Sequence, residues 1–247
     1  MRQHLIRHGT AAALCATVAL GLTACQGKGD DAGKSGSTAG PSGSSPSASA
    51  STHPTPPLLT GAELTKALAP ESLFASGFAV NPANTQDTGG DYQDATDEHP
   101  AKPDCTKLQT NAWVAVTGMT GASFTQQNRM NAAHTAEADQ EIDVFKGTGA
   151  ATAMTRVGAV GADCPSFIDS GTRSQVKVTE KKLPGLGDDA YVITLTSAGW
   201  QTGSTLIAAR VGTAVISVFS GDDSGHNGRG TAEKVARHIA GQLKGRA

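Results

Sequence analysis

The sequence predicts an α+β domain whose mainly antiparallel sheet is flanked by helices. Short runs in which apolar and polar residues alternate recur through the last third of the 247-residue chain, as the strands of a half-buried sheet would. Glycine-containing pairs between such runs suit hairpin turns, and helical patterns occur at intervals among them. Strands joined by hairpins, with helices interspersed, are typical of the α+β class.

The amino terminus has the pattern of a secretory signal. Arg2 and Arg7 precede an apolar stretch at 11–22, and no acidic residue lies between the first methionine and that stretch. The apolar stretch is about a dozen residues long, whereas a spanning helix needs roughly 20. We therefore expect residues 1–24 to be a signal peptide and not a permanent membrane anchor.

The apolar stretch ends on Leu22-Thr23-Ala24-Cys25, which resembles a bacterial lipobox. That resemblance implies that Cys25 is acylated and becomes the first residue of a protein held on the extracytoplasmic face of the cell membrane. Two or more acyl chains anchor a protein stably, whereas one chain binds reversibly. The alternative is an ordinary signal peptide that is cleaved after a small residue, with Cys25 incidental.

A flexible tether is expected to follow, over residues 25–57. Residues 26–57 contain no Val, Ile, Leu, Met, Phe, Trp or Tyr, so they cannot bury enough apolar surface to offset the entropy of ordering. A flexible chain of this length has an r.m.s. span of roughly 30 Å. Apolar residues begin at Leu58, and we expect residues 58–247 to form a single domain.

The cysteines predict one disulfide. Of the four in the chain, Cys15 would leave with the signal and Cys25 would be blocked by lipid, so Cys105 and Cys164 remain. An exported protein lies in a compartment that favours disulfides. A reactive thiol or a metal-binding pair is the alternative, but no CxxC occurs and no histidine lies at ligand spacing from either cysteine. We expect no metal and no cofactor.

The first half of the domain begins with a helix. Thr60 and Glu63 form a capping box, Leu59 and Leu64 are placed for a hydrophobic staple, and Pro70 is expected to end the helix. Beyond it, the predictions are a loop or short strand at Phe74 and Phe78, a long polar loop over 81–104, and strands at 113–116, in parts of 121–130 and around 140–145.

The second half contains clearer signals. A helix is predicted over 149–161, with Met154, Val157 and Val160 at helical spacing and Gly158 as a weak point. Strands are predicted around Val176 and Val178, at Tyr191, Ile193 and Leu195, and over 204–211 and 214–220, the last two joined at Gly212-Thr213 by a type II′ turn. The final helix is predicted to have Thr231 as its cap, an apolar stripe of Val235, Ile239 and Leu243, and Gly245 at its end.

Several stretches together resemble a known family. They are LAPESLFASGFAV at 68–80, Asp-Cys at 104–105, DCPSF at 163–167, LPGLGDDAYVITL at 183–195 and AARVGTAVISVFS at 208–220. In this order they resemble actinobacterial lipoproteins and the extracellular sensor domain of the mycobacterial Ser/Thr kinase PknH. The resemblance covers most of 58–245 and implies a sheet flanked by helices with a cleft for a small ligand.

The chain departs from that family in two ways. The kinase sensor domain has two disulfides, whereas this chain offers the cysteines for one. No kinase motif occurs here, so this polypeptide alone would not transmit what it senses. The resemblance supplies no catalytic residue.

Three Asp-Thr/Ser-Gly triplets, at 87–89, 169–171 and 223–225, are of the kind found in aspartic proteases. Such a protease places each triplet after a buried strand, so that two aspartates share a proton. Only Asp169 follows apolar residues, and the triplets at Asp87 and Asp223 are expected to form Asx turns. A protease is therefore not predicted.

Other polar clusters favour ordinary surface roles. Asp91, Asp94, Asp97 and Glu98 lack the spacing of a calcium loop and are expected to be solvated. His134 and Glu137 are spaced to share a helical face, but HExxH is absent, as are the GxSxG elbow and phosphate-binding glycine loops. No catalytic residue is predicted.

The predicted function is a non-enzymatic binding or sensor-like module for a small envelope ligand or a partner protein. Trp113 is expected to pack in the core, and Trp200, in a polar turn, is the candidate ligand contact. The net formal charge of −2 gives no reason to expect nucleic acid as a partner. An envelope hydrolase, which a pocket with a perturbed titratable pair would favour, and a lipid carrier, which needs a large apolar cavity, are the alternatives.

Overall fold

The structure is a computed structural model that describes residues 57–98, 102–109, 116–221 and 226–247. These residues belong to one compact unit. The predicted signal peptide, the acylation site Cys25 and the tether up to residue 56 lie outside the described residues. No helix in the described ranges is long and apolar enough to cross a membrane.

Eight strands form one sheet in the order β1-β2-β3-β8-β7-β6-β5-β4, and every neighbouring pair is antiparallel. The strands are β1 (Phe78–Asp87), β2 (Ser123–Asn131), β3 (Glu137–Val144), β4 (Ser166–Ile168), β5 (Gln175–Lys182), β6 (Asp189–Ser197), β7 (Ser204–Val211) and β8 (Ala214–Ser220). The β7–β8 hairpin turns at Gly212, which has a φ of 58°, and Thr213 has no positive φ. A positive φ at the first turn residue, without one at the second, agrees with the predicted type II′ turn.

Helices cover both faces of the sheet. They are α1 (Gly61–Thr65), α2 (Gly149–Val157), α3 (Val160–Asp163) and α4 (Arg229–Leu243), with 3₁₀ helices at Glu71–Leu73, Cys105–Gln109 and His226–Gly228. The first face, under α1 and α4, includes Ile142, Ile207 and Ile216 in a core with Val235 and Ile239. This arrangement confirms the predicted α+β fold and the stripe of the last helix.

The second face is covered by α2 and α3. Met154, Val157 and Val160 pack there against residues of β5 to β8 such as Ile193, Leu206 and Val215, which alternate along their strands with the residues of the first face. Strand β3 runs between the two covered faces, and its residues beyond Glu137 are all buried. A strand buried on both sides needs partners for every polar side chain it carries.

The predicted disulfide between Cys105 and Cys164 is confirmed, with the two Cα atoms 5.6 Å apart. Cys164 is the residue that ends α3 and is fully buried in the second core. The bond therefore attaches the 3₁₀ helix Cys105–Gln109 to the helical layer of that face.

The prediction of one long loop over 81–104 is wrong in its first part, because β1 continues to Asp87. This strand lies at the sheet edge and is mostly exposed, so its side chains carry no apolar alternation. Pro82 lies where the register shifts between Asn81 and Thr85, a bulge that an edge strand tolerates because a proline there removes no pairing N–H.

Three helix boundaries also differ from the predictions. The helix of 149–161 is two helices that separate at Gly158, where a Cβ atom would collide with the hydroxyl of Tyr191. Thr231 is not the cap of α4: it is buried in the first turn, and Gly228, with a φ of 74°, holds the cap position. The capping box of Thr60 and Glu63 is confirmed, but α1 ends at Thr65, well before Pro70.

Candidate functional site

A cavity of about 280 Å³ opens at one end of the sheet, on the second face. It lies where the β2–β3 hairpin, the β6–β7 hairpin and the end of β8 come together beside the 3₁₀ helix Cys105–Gln109. The β2–β3 hairpin contributes Met130, His134, Thr135, Ala136 and Glu137. The other elements contribute Trp200, Thr202, Gly203, Ser204, Phe219, Gly221 and Gln109.

Trp200, the sequence-predicted ligand contact, lies in the wall of this cavity. It is partly buried, and its side chain packs against the second core. The backbone N–H of Trp200 donates to the carbonyl of Ser197 at 3.2 Å, and the next part of the hairpin is fixed where Gly203 N–H donates to Asn227 Oδ1 at 3.1 Å. Backbone contacts at both ends therefore hold the tryptophan in the wall.

The part of the wall formed by Gln109 is held by Asp169, the aspartate of the triplet at 169–171. Its Oδ2 accepts a 2.5 Å hydrogen bond from Gln109 Nε2, and its Oδ1 accepts from the N–H and the hydroxyl of Thr172. Burial acts to raise the pKa of Asp169, but these hydrogen bonds outweigh it and hold the pKa below its ordinary value. Asp169 thus acts as an ionised anchor for Gln109, whose amide oxygen remains an acceptor.

Glu137 is the acidic side chain in the cavity wall, and it begins a row of carboxyl groups. Alternation along β3 places Glu137, Asp139, Glu141 and Asp143 on the second face, and we call these residues the acidic row. Asp139, Glu141 and Asp143 expose 4%, 7% and 5% of their surface. The row therefore leads from the cavity into the covered part of the sheet.

Burial raises the pKa of every carboxyl in the acidic row. The pKa of Asp139 rises to about 8 because the group is desolvated and lies near the charge of Glu137. Burial raises the pKa of Glu137, and that of Glu141 rises well above its ordinary value because of burial and of Asp143. Burial also raises the pKa of Asp143. A buried carboxyl without a cation favours its neutral form.

Polar contacts connect the row. The side-chain amide of Asn128 donates to Asp139 and to Glu137, and Glu141 and Asp143 share a side-chain hydrogen bond. In the part of the chain that the structure describes, no partner is found for buried oxygens of Asn128, Glu141, Asp143 and Ser217. The row is thus only partly satisfied, which leaves it sensitive to protonation and to nearby charge.

The other predicted polar clusters have structural roles. Asp87 Oδ1 accepts from Gly89 N–H at 2.6 Å, which confirms the Asx turn of the first triplet. Asp97 pairs with Arg156 at 2.6 Å, so this part of the acidic loop is bound to α2. Asp223 and Trp113 lie outside the described residues.

The sequence did not predict that the β2–β3 hairpin brings two further residues to the cavity. His134 and Glu137 do not share a helical face: His134, with a φ of 54°, lies in the β2–β3 turn, and Glu137 begins β3. They meet at the cavity through that hairpin and not through helical spacing. The available signal was the acidic residue at every second position from 137 to 143, which marks one face of a strand.

Within the described ranges, no group of three or more His, Cys, Asp or Glu side chains is arranged to hold a metal.

Comparison with solved structures confirms the predicted structural resemblance. The extracellular domain of PknH from Mycobacterium tuberculosis superposes with a TM-score of 0.53, over 76% of this chain and 97% of that domain. The sequence identity is 12%, so the likeness establishes a shared fold. No protein-family profile and no curated protein sequence matches the chain.

Proposed function

We propose that this protein is a lipid-anchored, extracytoplasmic, sensor-like module that binds a small envelope molecule in the cavity beside Trp200. The observation that carries the proposal is the cavity itself, where an aromatic side chain, a carboxyl group and several uncharged polar groups converge at the open end of the sheet. Small-molecule sites are commonly concave and combine apolar walls with a few orienting polar groups.

The proposed location has separate support. The signal pattern and the lipobox-like Leu22–Cys25 stretch favour export and acylation, and the disulfide between Cys105 and Cys164 fits an oxidising compartment. The PknH domain that shares this fold is extracellular. Replacement of Cys25 by serine should release the protein from the membrane fraction, since the attachment site would be lost.

The binding proposal is tested with the full chain purified from its native membrane. Mass spectrometry of the compounds that remain bound should show a species enriched over a mock purification. Trp200→Ala should lose that enrichment, whereas Val80→Ala, an exposed apolar control on β1, should keep it. Absence of any enriched compound, or equal enrichment with Trp200→Ala, would contradict binding in this cavity.

A second candidate is a hydrolase, and one observation favours it. Glu137 lines the cavity with a raised pKa and has Asp139 as a neighbour, an arrangement that holds a general acid in its protonated form. Glycoside hydrolysis needs two carboxyl groups on opposite sides of the bond. Asp139 is 4% exposed and lies behind Glu137 on the same strand, so it does not supply the opposing group.

The two candidates differ in what happens to the bound compound. A hydrolase should convert the recovered compound over time, and Glu137→Gln should stop the conversion while the compound stays bound. A binding module should return the compound unchanged from both proteins. The lipid carrier is not supported, because the described lining of the 280 Å³ cavity includes Glu137, Gln109 and several hydroxyl groups.

A further inference from the structure

We propose that the cavity selects a ligand with a positively charged group, such as an organic ammonium ion. The inference deepens the proposed function and rests on it. It assigns the ligand class from the chemistry of the wall, where Glu137 provides the charge and Trp200 and Phe219 provide aromatic surface.

The polar side chains of the wall are a carboxyl, an amide, an imidazole and three hydroxyls, from Glu137, Gln109, His134, Thr135, Thr202 and Ser204. Among the described residues that line the cavity, none is lysine or arginine, and the titratable side chains are Glu137 and His134. Gln109 uses one amide N–H to bind Asp169, and that bond leaves its amide oxygen as an acceptor and its second N–H as a donor. A phosphate or carboxylate would meet the carboxyl of Glu137 with no lysine or arginine in the described lining to pair it, whereas a positively charged group would pair with that carboxylate.

The titratable groups that follow Glu137 on its own strand are also carboxyls, and burial raises the pKa of each so that it favours the neutral form. Asp139 follows it on the same face, and Glu141 and Asp143 lie behind. On the neighbouring strands the side chains of that face are uncharged: Asn128 and Met130 on β2, and Ser217 and Phe219 on β8.

Three groups near the cavity can carry a positive charge, and none of them lies on the same face of β2 or β8 as the acidic row. Arg129 projects to the first face, where its guanidinium lies 4.8 Å from the ring centre of Phe74. Lys107 is an exposed residue of the 3₁₀ helix that carries Gln109, and His134 is in the hairpin turn. The β6–β7 hairpin presents Trp200, Thr202 and Ser204, which carry no charge. A cationic ligand would supply the charge that the site lacks.

The aromatic walls suit the same ligand. The face of an indole ring carries negative potential and attracts an ammonium group by roughly 0.5 to 2 kcal/mol. Trp200 is held in position by its hairpin, so it can offer this surface without reordering. An anion would gain nothing from that ring face.

Binding of a cation should be linked to proton release. Where Glu137 is protonated, an ammonium ligand displaces the proton to solvent and leaves an ion pair between the carboxylate and the ammonium group. Cation affinity should therefore increase with pH until Glu137 is ionised, because the burial-raised pKa of that group keeps it neutral in more acidic solution.

The test uses three probes of nearly equal shape. Choline carries a positive charge, 3,3-dimethylbutan-1-ol is its neutral analogue, and 3,3-dimethylbutanoate carries a negative charge. Dissociation constants for the purified full chain are measured by calorimetry between about pH 5 and about pH 8, the range over which carboxyls with raised pKa ionise. We expect choline to bind roughly tenfold more tightly than either analogue at the upper pH.

Two variants identify the group responsible. Glu137→Gln should remove the preference for choline and its pH dependence. Glu180→Gln is the matched control: Glu180 is a partly buried glutamate whose pKa is also raised by burial, but it lies on β5 and accepts a hydrogen bond from Gly161 N–H. This control should bind all three probes as the unmodified protein does.

Specific results would overturn the inference. They are equal or tighter binding of the neutral or anionic probe, no binding of choline, or a choline preference that survives Glu137→Gln. None of these would remove the proposed function, because a neutral or anionic compound recovered from the membrane and lost with Trp200→Ala would still establish a binding module.

Discussion

The carboxyl group of Asp139 lies on the central strand β3 and is almost wholly buried, with 4% of the residue exposed. Its partner is the amide of Asn128, and no cation faces it on the neighbouring strands. Burial and Glu137 together raise its pKa to about 8. At neutral pH this residue therefore favours the protonated form in the folded protein, although it is ionised in the unfolded chain.

That difference predicts how stability depends on pH. Because the folded pKa of about 8 exceeds the unfolded value of about 3.9, the contribution of Asp139 to stability is most favourable in acid, falls as pH rises between these values, and levels off above the folded pKa. One such group changes the free energy of unfolding by about 1.4 kcal/mol per pH unit in that range. Asp139→Asn should reduce the slope by about that amount in urea unfolding.

The control for this prediction is Asp87→Asn, an exposed aspartate whose Asx turn asparagine can also form. It should leave the pH dependence of unfolding unchanged. A pH slope that is the same with Asp139→Asn as without it would show that Asp139 is already ionised in the folded protein.

At this scale the sequence predicted some residues and missed others. The position of Trp200 in a polar turn predicts a ligand contact, and Trp200 does line the cavity. Glu137 was considered with His134 as a helical pair, which was wrong. Its place beside the cavity follows from a hairpin that returns β3 along β2, and that pairing is a long-range fact that local spacing does not contain.

At the scale of the element, the β5–β6 turn shows how local geometry fixes a segment. Gly185 and Gly187 have φ values of 76° and 60°, which glycine adopts readily. The N–H of the following Asp188 donates to the carbonyl of Arg210 at 2.7 Å, and its side chain accepts from Gly212 N–H at 2.8 Å. The turn is therefore joined to the β7–β8 hairpin.

These two glycines form a matched pair for a stability test. A Cβ atom at Gly187 would collide with the carbonyl oxygen of Arg210, whereas a Cβ atom at Gly185 would meet nothing within 4 Å. Gly185→Ala should cost only the left-handed conformation, about 1 to 2 kcal/mol. Gly187→Ala should cost clearly more, as measured by the free energy of unfolding in urea. Equal losses would contradict the close approach of the two turns.

Elements whose side chains are buried and exposed in a regular repeat were predictable. The alternating strands β5 and β6 and the stripe of α4 followed from residue periodicity. The edge strand β1 was missed, because its pairing uses backbone groups that every residue carries and its side chains remain exposed. The break between α2 and α3 falls at Gly158, which packs against Tyr191, a residue that is distant in sequence.

At the scale of the whole molecule, one disulfide links two parts of the helical layer that covers the second face of the sheet. The disulfide joins the 3₁₀ helix that carries Gln109 to the end of α3, across a sequence separation of 59 residues. The chain-entropy model gives about 4 kcal/mol for a loop of this length. The bond also restrains the wall of the cavity in which Gln109 lies.

Replacing both Cys105 and Cys164 by serine should therefore lower the free energy of unfolding by about 4 kcal/mol. It should also weaken retention of the bound compound, because the Gln109 wall loses its attachment. Unfolding with and without a reductant measures the first effect in the unmodified protein. If peptide mapping without reductant recovered both cysteines as free thiols, the disulfide itself would be disproved.

The layered architecture was predictable in class but not in detail. Periodicity and hairpin signals gave an antiparallel sheet with helices, and the shared fold with the PknH extracellular domain agrees with it. The strand order, which places β3 beside β8, could not be predicted, because the two strands are separated by four other strands in sequence. That pairing buries the acidic row and positions the cavity.

The most direct test of the account is to locate the bound compound on the protein. Amide chemical shifts of the purified full chain should be recorded with and without the compound recovered from its membrane. The account predicts that the largest changes cluster at residues 134–137, 200–204 and 219–221, around the cavity. Changes confined to α4 and the first face of the sheet would contradict it.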